Sequence, residues 1–204
     1  MTDGPSPSMV DVAFALRGTT LARDHRLALS RALADALPWL ADEPMAAVHD
    51  VKLVQGGVEP ALLSARSRLV VRVRRERAGE LAALAGRTLQ VGDAALELGA
   101  ATLRELAPHS TLYAHFVDAA GSDEGAFLDS MAGELRTLEV RCHHVCGREQ
   151  RVRGPAEALR GYSLLLHGLG AAASLRVLEH GLGAHRLMGC GVFVPHKTAA
   201  AVGE

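Results

Sequence analysis

One succession of hydrophobic periods occurs twice along the chain, and few folds accommodate it. Val10, Val12, Phe14 and Leu16 alternate with Asp11, Ala13, Ala15 and Arg17, the two-residue period of a half-buried strand. Residues 18–22 read as a loop. Asp24 is placed to cap a helix that carries Leu29, Leu33, Ala36, Leu37 and Leu40 at helical spacing, until Pro38 kinks or ends it. Residues 48–54 and 69–74 read as two more strands, the second alternating Leu69, Val71 and Val73 with Arg72 and Arg74, and residues 55–68 as the loop between them. A short apolar helix at 78–85, stopped by Gly86, and extended structure at 88–98, interrupted at Gly92 and Asp93, complete a βαββαβ order.

The second pass begins with a strand at 111–117. It continues with a helix at 123–138 that turns Phe127, Met131, Leu135 and Leu138 inward. Extended segments near 139–146 and 162–167, a short helix at 171–180 and a last strand near 191–194 follow. The expected fold class is α+β, two tandem ferredoxin-like (βαββαβ, RRM-like) domains with a C-terminal glycine-rich loop. The expected division is 1–106 and 107–204, the join falling in the Ala-rich stretch between Gly99 and His109. In each domain helices cover one face of an antiparallel sheet and leave the other for a partner.

Composition narrows the function classes. A chain of 204 residues that is 49% hydrophobic can bury one large core or two small ones, so disorder is not expected. No run of eighteen apolar residues occurs and the first residues lack the regions of a signal peptide, so a soluble, cytoplasmic protein with no membrane partner is expected. The three cysteines, Cys142, Cys146 and Cys190, read as free thiols. The net charge of −1 gives no general attraction to a polyanion, so the placement of charge matters. Arginines cluster at 66–77 and again at Arg141, Arg148, Arg151 and Arg153, and guanidinium groups suit bidentate phosphate contacts. Part of this bias is what a GC-rich genome would produce. Aromatic residues make up 3% of the chain and no strand carries the ring signature of RNA-recognition motifs, which favours grip on phosphates over base stacking.

Residues 181–193, GLGAHRLMGCGVF, hold glycines at 181, 183, 189 and 191 between the last helix and the last strand. Such spacing lets backbone amides approach a phosphate, and Arg186 adds a charge; the plain alternative is a helix stop followed by a bend. This stretch, read as GLGAHRLMGCGVFVPHK, together with RGTTLARDHRLALSRALADALPWL and LAGRTLQVG, resembles the CRISPR-associated Cas-six family of repeat-cleaving endoribonucleases, a short-chain branch of the repeat-associated RNA-binding superfamily. The resemblance spans nearly the whole chain. It implies metal-independent cleavage of precursor CRISPR RNA within the repeat, by attack of a ribose 2′-hydroxyl on the adjacent phosphate, giving a 2′,3′-cyclic phosphate and mature guide RNA. The guide would remain bound or pass to other subunits of an interference complex.

That chemistry needs proton transfer near neutrality, the work of histidine. His25, expected on the first turn of the first helix, is the leading candidate, because a helix N-terminus favours the neutral ring and because the resembling family places its catalytic histidine there. His49, at the start of the next strand, is the second. Tyr113, which shares a face with His115, and Lys197, beside His196, are candidates for stabilising charge on the phosphate, although a core or interface role is the plainer reading of Tyr113. The RNA-binding set comprises Arg23, Arg26, Arg148, Arg151, Arg153, Gly181, Gly183, Arg186, Gly189, Gly191 and Lys197, with the three arginines from Arg148 to Arg153 around a turn at 147–150. The segment from Cys142 to Cys146 invites a zinc reading, but it has no second ligand pair, so neither metal nor cofactor is expected. The alternative function is a non-catalytic subunit that holds the guide RNA in an effector complex.

Overall fold

A computed structural model describes residues 7–57 and 59–196. The chain divides into two compact units, Met1–Glu105 with Leu187–Gly189, and Leu106–Arg186 with Cys190–Glu204.

The first unit is built from β1 (Met9–Arg17), β2 (Thr20–Leu21), α1 (Arg26–Ala36), β3 (Ala47–Val48), β4 (Ala61–Leu62), β5 (Arg68–Arg74), α2 (Ala78–Ala82), β6 (Thr88–Val91) and β7 (Ala94–Glu105). Its five-stranded sheet has the order β3-β5-β1-β7-β6, and all pairings are antiparallel. The alternation in β1 does what its period predicts. Val10, Val12 and Phe14 stand opposite Val73, Val71 and Leu69 and join Leu29, Leu33, Leu81 and Leu84 of the helical layer in one core. Full burial of each such side chain contributes about 1.5–3 kcal/mol. The other face of β1 is narrow, with Ala13 buried, and it sets Asp11 directly opposite Arg72.

Local departures from the sequence expectation have identifiable causes. Asp24 does not cap α1; His25 is the N-cap residue, with helical backbone angles of −86° and −11° and no side-chain cap bond. The strand expected at 48–54 is reduced to the two residues of β3, because the chain turns away after His49 donates its amide to the Val70 carbonyl at 2.9 Å. The segments read as loops at 18–22 and 55–68 carry β2 and β4, which pair with each other. Strand β7 continues through Ala101 and Leu103 to Glu105, so much of the stretch expected as a join is paired with β1.

The second unit holds β8 (Thr111–Asp118), α3 (Glu124–Thr137), β9 (His143–Arg153), β10 (Ala158–His167), α4 (Ala171–His180) and β11 (Phe193–Pro195) in the sheet order β11-β8-β10-β9, again antiparallel. Asp123 caps α3 by accepting from the Ala126 amide at 2.9 Å. Phe127, Met131 and Leu135 are buried, and the Phe127 ring lies 4.9 Å from that of Tyr162 on β10. Gly181 ends α4 with φ +64°, a region open to glycine at little cost. The turn expected at 147–150 is absent. That segment is the middle of β9, where Gly147 packs so closely on Ser163 that a Cβ would run into its hydroxyl. The architecture is therefore α+β with antiparallel sheets.

Candidate active site

In the first unit, α1 and the chain after β3 bring together His25, Arg26, His49 and Asp50, and Leu187 and Met188 of the same unit line the pocket they form. The pocket is too small to hold a water molecule. His25 is 2% exposed. Its Nδ1 lies 2.9 Å from the Ala22 carbonyl. A carbonyl only accepts, so Nδ1 bears the hydrogen and Nε2 of the neutral ring keeps its lone pair. Nε2 is buried without a hydrogen bond and faces Asp50 Oδ1 at 3.5 Å. Burial pulls the His25 pKa below the ordinary histidine value, and the Asp50 carboxylate opposes it only in part.

Arg26, the first residue of α1, turns its guanidinium to its own chain. Nη2 is 3.2 Å from Asp50 Oδ2, and Nη1 donates to the carbonyls of Met188 at 3.3 Å and Gly189 at 3.1 Å. It is not a free phosphate ligand in this arrangement. Arg23 also has internal partners, an ion pair with Glu59 at 3.7 Å and a hydrogen bond from its guanidinium to the Val54 carbonyl at 3.4 Å.

A second polar network joins the sheet of this unit. Arg72 is 1% exposed and grips Asp11 with two bonds, Nε to Oδ1 at 2.7 Å and Nη2 to Oδ2 at 3.0 Å, while His49 Nε2 stands 3.4 Å from Oδ1. Burial alone would raise the Asp11 pKa. The hydrogen bonds and charges of His49 and Arg72 outweigh burial and hold the carboxyl well below the usual carboxylate range. Asp11, Arg72 and Asp50 were not among the sequence candidates. The register that sets Asp11 opposite Arg72 is the signal that points to the first two.

The second unit gathers rings. On β8, Tyr113 lies edge-on to His115 with centroids 4.9 Å apart and 5.4 Å from His196. His143 and His167 stack at 5.0 Å on β9 and β10. Tyr113 is half-buried, and His115, His143 and His196 are exposed. Lys197 lies outside the described residues. Arg148, Arg151 and Arg153 are exposed along β9, an outer strand, rather than around a turn at 147–150, and the last two lie beside the β9–β10 turn instead.

The glycine-rich stretch differs from the expected phosphate cradle. Three of its four glycine amides are spent internally: Gly181 on the Val177 carbonyl at 2.8 Å, Gly183 on Glu134 Oε2 at 2.7 Å and Gly191 on the Phe116 carbonyl at 2.7 Å. Arg186 is 9% exposed and donates to the Glu179 carbonyl at 2.9 Å. A Cβ at Gly191 would run into the Leu182 carbonyl, so glycine there permits close chain packing. Two larger clefts beside α3, about 360 and 400 Å³, share Ser130, Glu134 and Gly183. Glu134, joined in the first by Asp118, disfavours a phosphate.

Among the described residues no group of three or more His, Cys, Asp or Glu side chains is arranged to hold a metal ion. Cys142, Cys146 and Cys190 are free thiols, and burial pushes the first two up from the ordinary thiol pKa. Among the described residues no helix is long and apolar enough to cross a membrane.

A family model described as Cas6 Crispr matches residues 10–198. The CRISPR-associated endonuclease Cas6 of Myxococcus xanthus (strain DK1622) is 34% identical over 194 residues, covering 95% of this chain and 84% of that protein. Among solved structures, a CRISPR-associated protein Cas6 aligns with a TM-score of 0.69 at 11% identity, over 93% of this chain and 100% of that one. The product of a Cas6-related gene from Pyrococcus furiosus gives 0.58 at 10% identity, over 91% and 98%. Thermus thermophilus Cse3, bound to an RNA representing a pre-cleavage complex, gives 0.51 at 15% identity, over 92% and 98%. At these identities the structural likenesses establish the fold alone.

Proposed function

The chain belongs to the Cas6 family, and from that premise we propose that it is an endoribonuclease that cuts precursor CRISPR RNA within the repeat, without a metal ion, and releases mature guide RNA. The observation that carries the reading is His25, whose Nδ1 is committed to the Ala22 carbonyl and whose Nε2 is thereby left as the basic atom. Nε2 takes the proton from the 2′-hydroxyl as the 2′-oxygen attacks phosphorus. The bond from phosphorus to the 5′-oxygen breaks, a 2′,3′-cyclic phosphate forms, and the leaving 5′-oxygen takes a proton from the assisting residue or from water, while His25 later returns its proton to solvent. Nε2 is buried, so in this mechanism substrate reaches it by displacing part of the pocket wall, to which Leu187 and Met188 contribute, and binding and opening are coupled. His49, Tyr113 and Lys197 are the groups whose single substitution identifies the residue that assists.

The strand orders β3-β5-β1-β7 and β11-β8-β10-β9 support reading residues 1–106 and 107–204 as two ferredoxin-like domains, each with its first strand central and its helices inserted after the first and third core strands. The exposed arginines of β9 are the RNA-facing cations in this reading, with repeat RNA as the partner in the cytoplasm and other subunits of an interference complex as later partners.

One observation favours a non-catalytic guide-binding subunit instead, namely the sealed position of His25 Nε2. The deciding experiment uses a labelled repeat RNA from the host array in EDTA, with wild-type protein, His25→Ala, and a substrate carrying a 2′-deoxy residue 5′ of the cut. Loss of a general base lowers the rate about 10² to 10⁴-fold. Cleavage by wild type alone, on the ribose substrate alone, supports the enzyme. Tight binding with no cleavage by any protein supports the subunit.

A further inference from the structure

Resting on the His25 reading, we propose that Asp50 is the positioning residue of the site: its carboxylate sets the proton affinity of His25 Nε2 and is held in place by Arg26, which ties it to the Gly189 end of the glycine-rich stretch. Three observations converge on this assignment.

The first is the fixed tautomer. With hydrogen on Nδ1, a neutral His25 sets an Nε2 lone pair against the Asp50 oxygen at 3.5 Å, an unfavourable contact of two acceptors. Once Nε2 has taken a proton from substrate, the same geometry sets N–H against carboxylate. The interaction changes sign at the moment of proton transfer, so Asp50 favours the product of that step over the starting state. The remaining polar neighbours do not share this role. Arg26 is a cation and acts in the opposite direction, and His49, which lines the same pocket, turns its Nε2 toward Asp11. Leu29, Val48, Leu187 and Met188 contribute apolar walls.

The second is the tie. Asp50 is 38% exposed and would be free to swing, but Oδ2 is held by Arg26 Nη2 at 3.2 Å while Oδ1 faces the ring. Arg26 is itself anchored by the Met188 and Gly189 carbonyls. The third is the glycine. Gly189 has φ +74°, and a Cβ there would stand 2.8 Å from Arg26 Nη1 and 3.0 Å from the Val48 carbonyl. The positive φ and the near Val48 carbonyl favour glycine where the loop carbonyl meets the guanidinium. This accounts for one glycine of the stretch without any contact to phosphate.

The test is a pH–rate profile of single-turnover repeat cleavage for wild type, Asp50→Asn, Asp50→Glu and His25→Ala, paired with an NMR titration of the His25 ring. Replacing the carboxylate removes the influence that raises the His25 pKa. The acidic limb of the profile and the ring titration of Asp50→Asn therefore both move to lower pH. The rate at pH 7 falls by less than about 10-fold for each unit of basicity lost, as a Brønsted dependence on base strength requires, with RNA affinity unchanged. Asp50→Glu recovers part of the rate. If Asp50→Asn does not fold, Asp50→Ser replaces it in the ring titration, which needs no activity. An unshifted ring titration in a folded Asp50 variant, with His25→Ala inactive, overturns the role of Asp50 and leaves that of His25 standing. Normal cleavage by His25→Ala overturns both.

Discussion

Both units are antiparallel sheets with helices, yet they place several of their polar side chains differently. In the first, Asp11, Arg72, His25 and His49 are drawn into the fold, with Arg72 and His25 almost fully buried and each histidine set against a carboxylate. In the second, His115, His143 and His196 stay on the surface and contact other rings, and Arg151 and Arg153 line an outer strand. A buried charge is costly unless it is paired, and these buried groups of the first unit stand against fixed partners, whereas the named histidines and arginines of the second are exposed to solvent. Topology sets where the strands lie. The residues on the second face of each sheet decide whether that unit holds charge or presents it.

This contrast is best attacked where it predicts the largest change. Asp11→Ala removes the carboxylate that the buried Arg72 guanidinium grips with two bonds, and unfolding in urea should show a loss of about 3–5 kcal/mol. In the second unit the comparable loss comes from shape rather than charge. A Cβ at Gly161 would run into the Val117 carbonyl, and Gly161→Ala should cost about 1–3 kcal/mol by the same measurement.

Acid should distinguish the units more gently. The folded-state pKa of His25 lies below its unfolded value of 6.5, so between the two the unfolded chain binds a proton that the native chain does not. Stability therefore falls as pH drops below 6.5 and stops falling once the folded pKa is passed. Asp50 offsets part of this loss by facing the new charge, which keeps the effect below that of deleting Asp11. His25→Gln should remove this slope, read as urea-derived stability between pH 7 and 5. The Asp11 contribution has a separate window: it is complete above 3.8 and is lost only as pH falls below that value.

Two small effects close the series. Gly79 sits in α2 with open space around it, and Gly79→Ala should raise stability by about 0.4–1 kcal/mol. The Arg160 and Glu149 pair on the second sheet is 4.0 Å long and substantially exposed, and Glu149→Ala should change stability by about 0–1 kcal/mol. A loss from Glu149→Ala as large as that from Asp11→Ala would erase the distinction between the units.

Periodicity made the long elements legible. β1, α3 and α4 follow their hydrophobic spacing closely, because each buries one face and little else competes for it. The short strands β2 and β4 were hidden, since two-residue pairings leave no period to read. The turn expected at 147–150 came from reading Gly147 as punctuation. The residue is glycine because Ser163 lies against it within the sheet. His25 stood out by its place before a helix, but its partner Asp50 is 25 residues away in sequence and becomes visible only once α1 and the chain after β3 are packed together. Internal satisfaction of the glycine amides is equally a tertiary fact, for their partners Phe116 and Glu134 come from other elements.

The membership of Leu187–Gly189 in the first unit has a consequence for how the protein is made. Translation delivers His25 to Asp50 early, yet Leu187 and Met188, which line the same pocket, leave the ribosome only after almost all of the second unit. A fragment that ends at Glu105 lacks these two apolar walls and leaves Arg26 without its Met188 and Gly189 carbonyl partners.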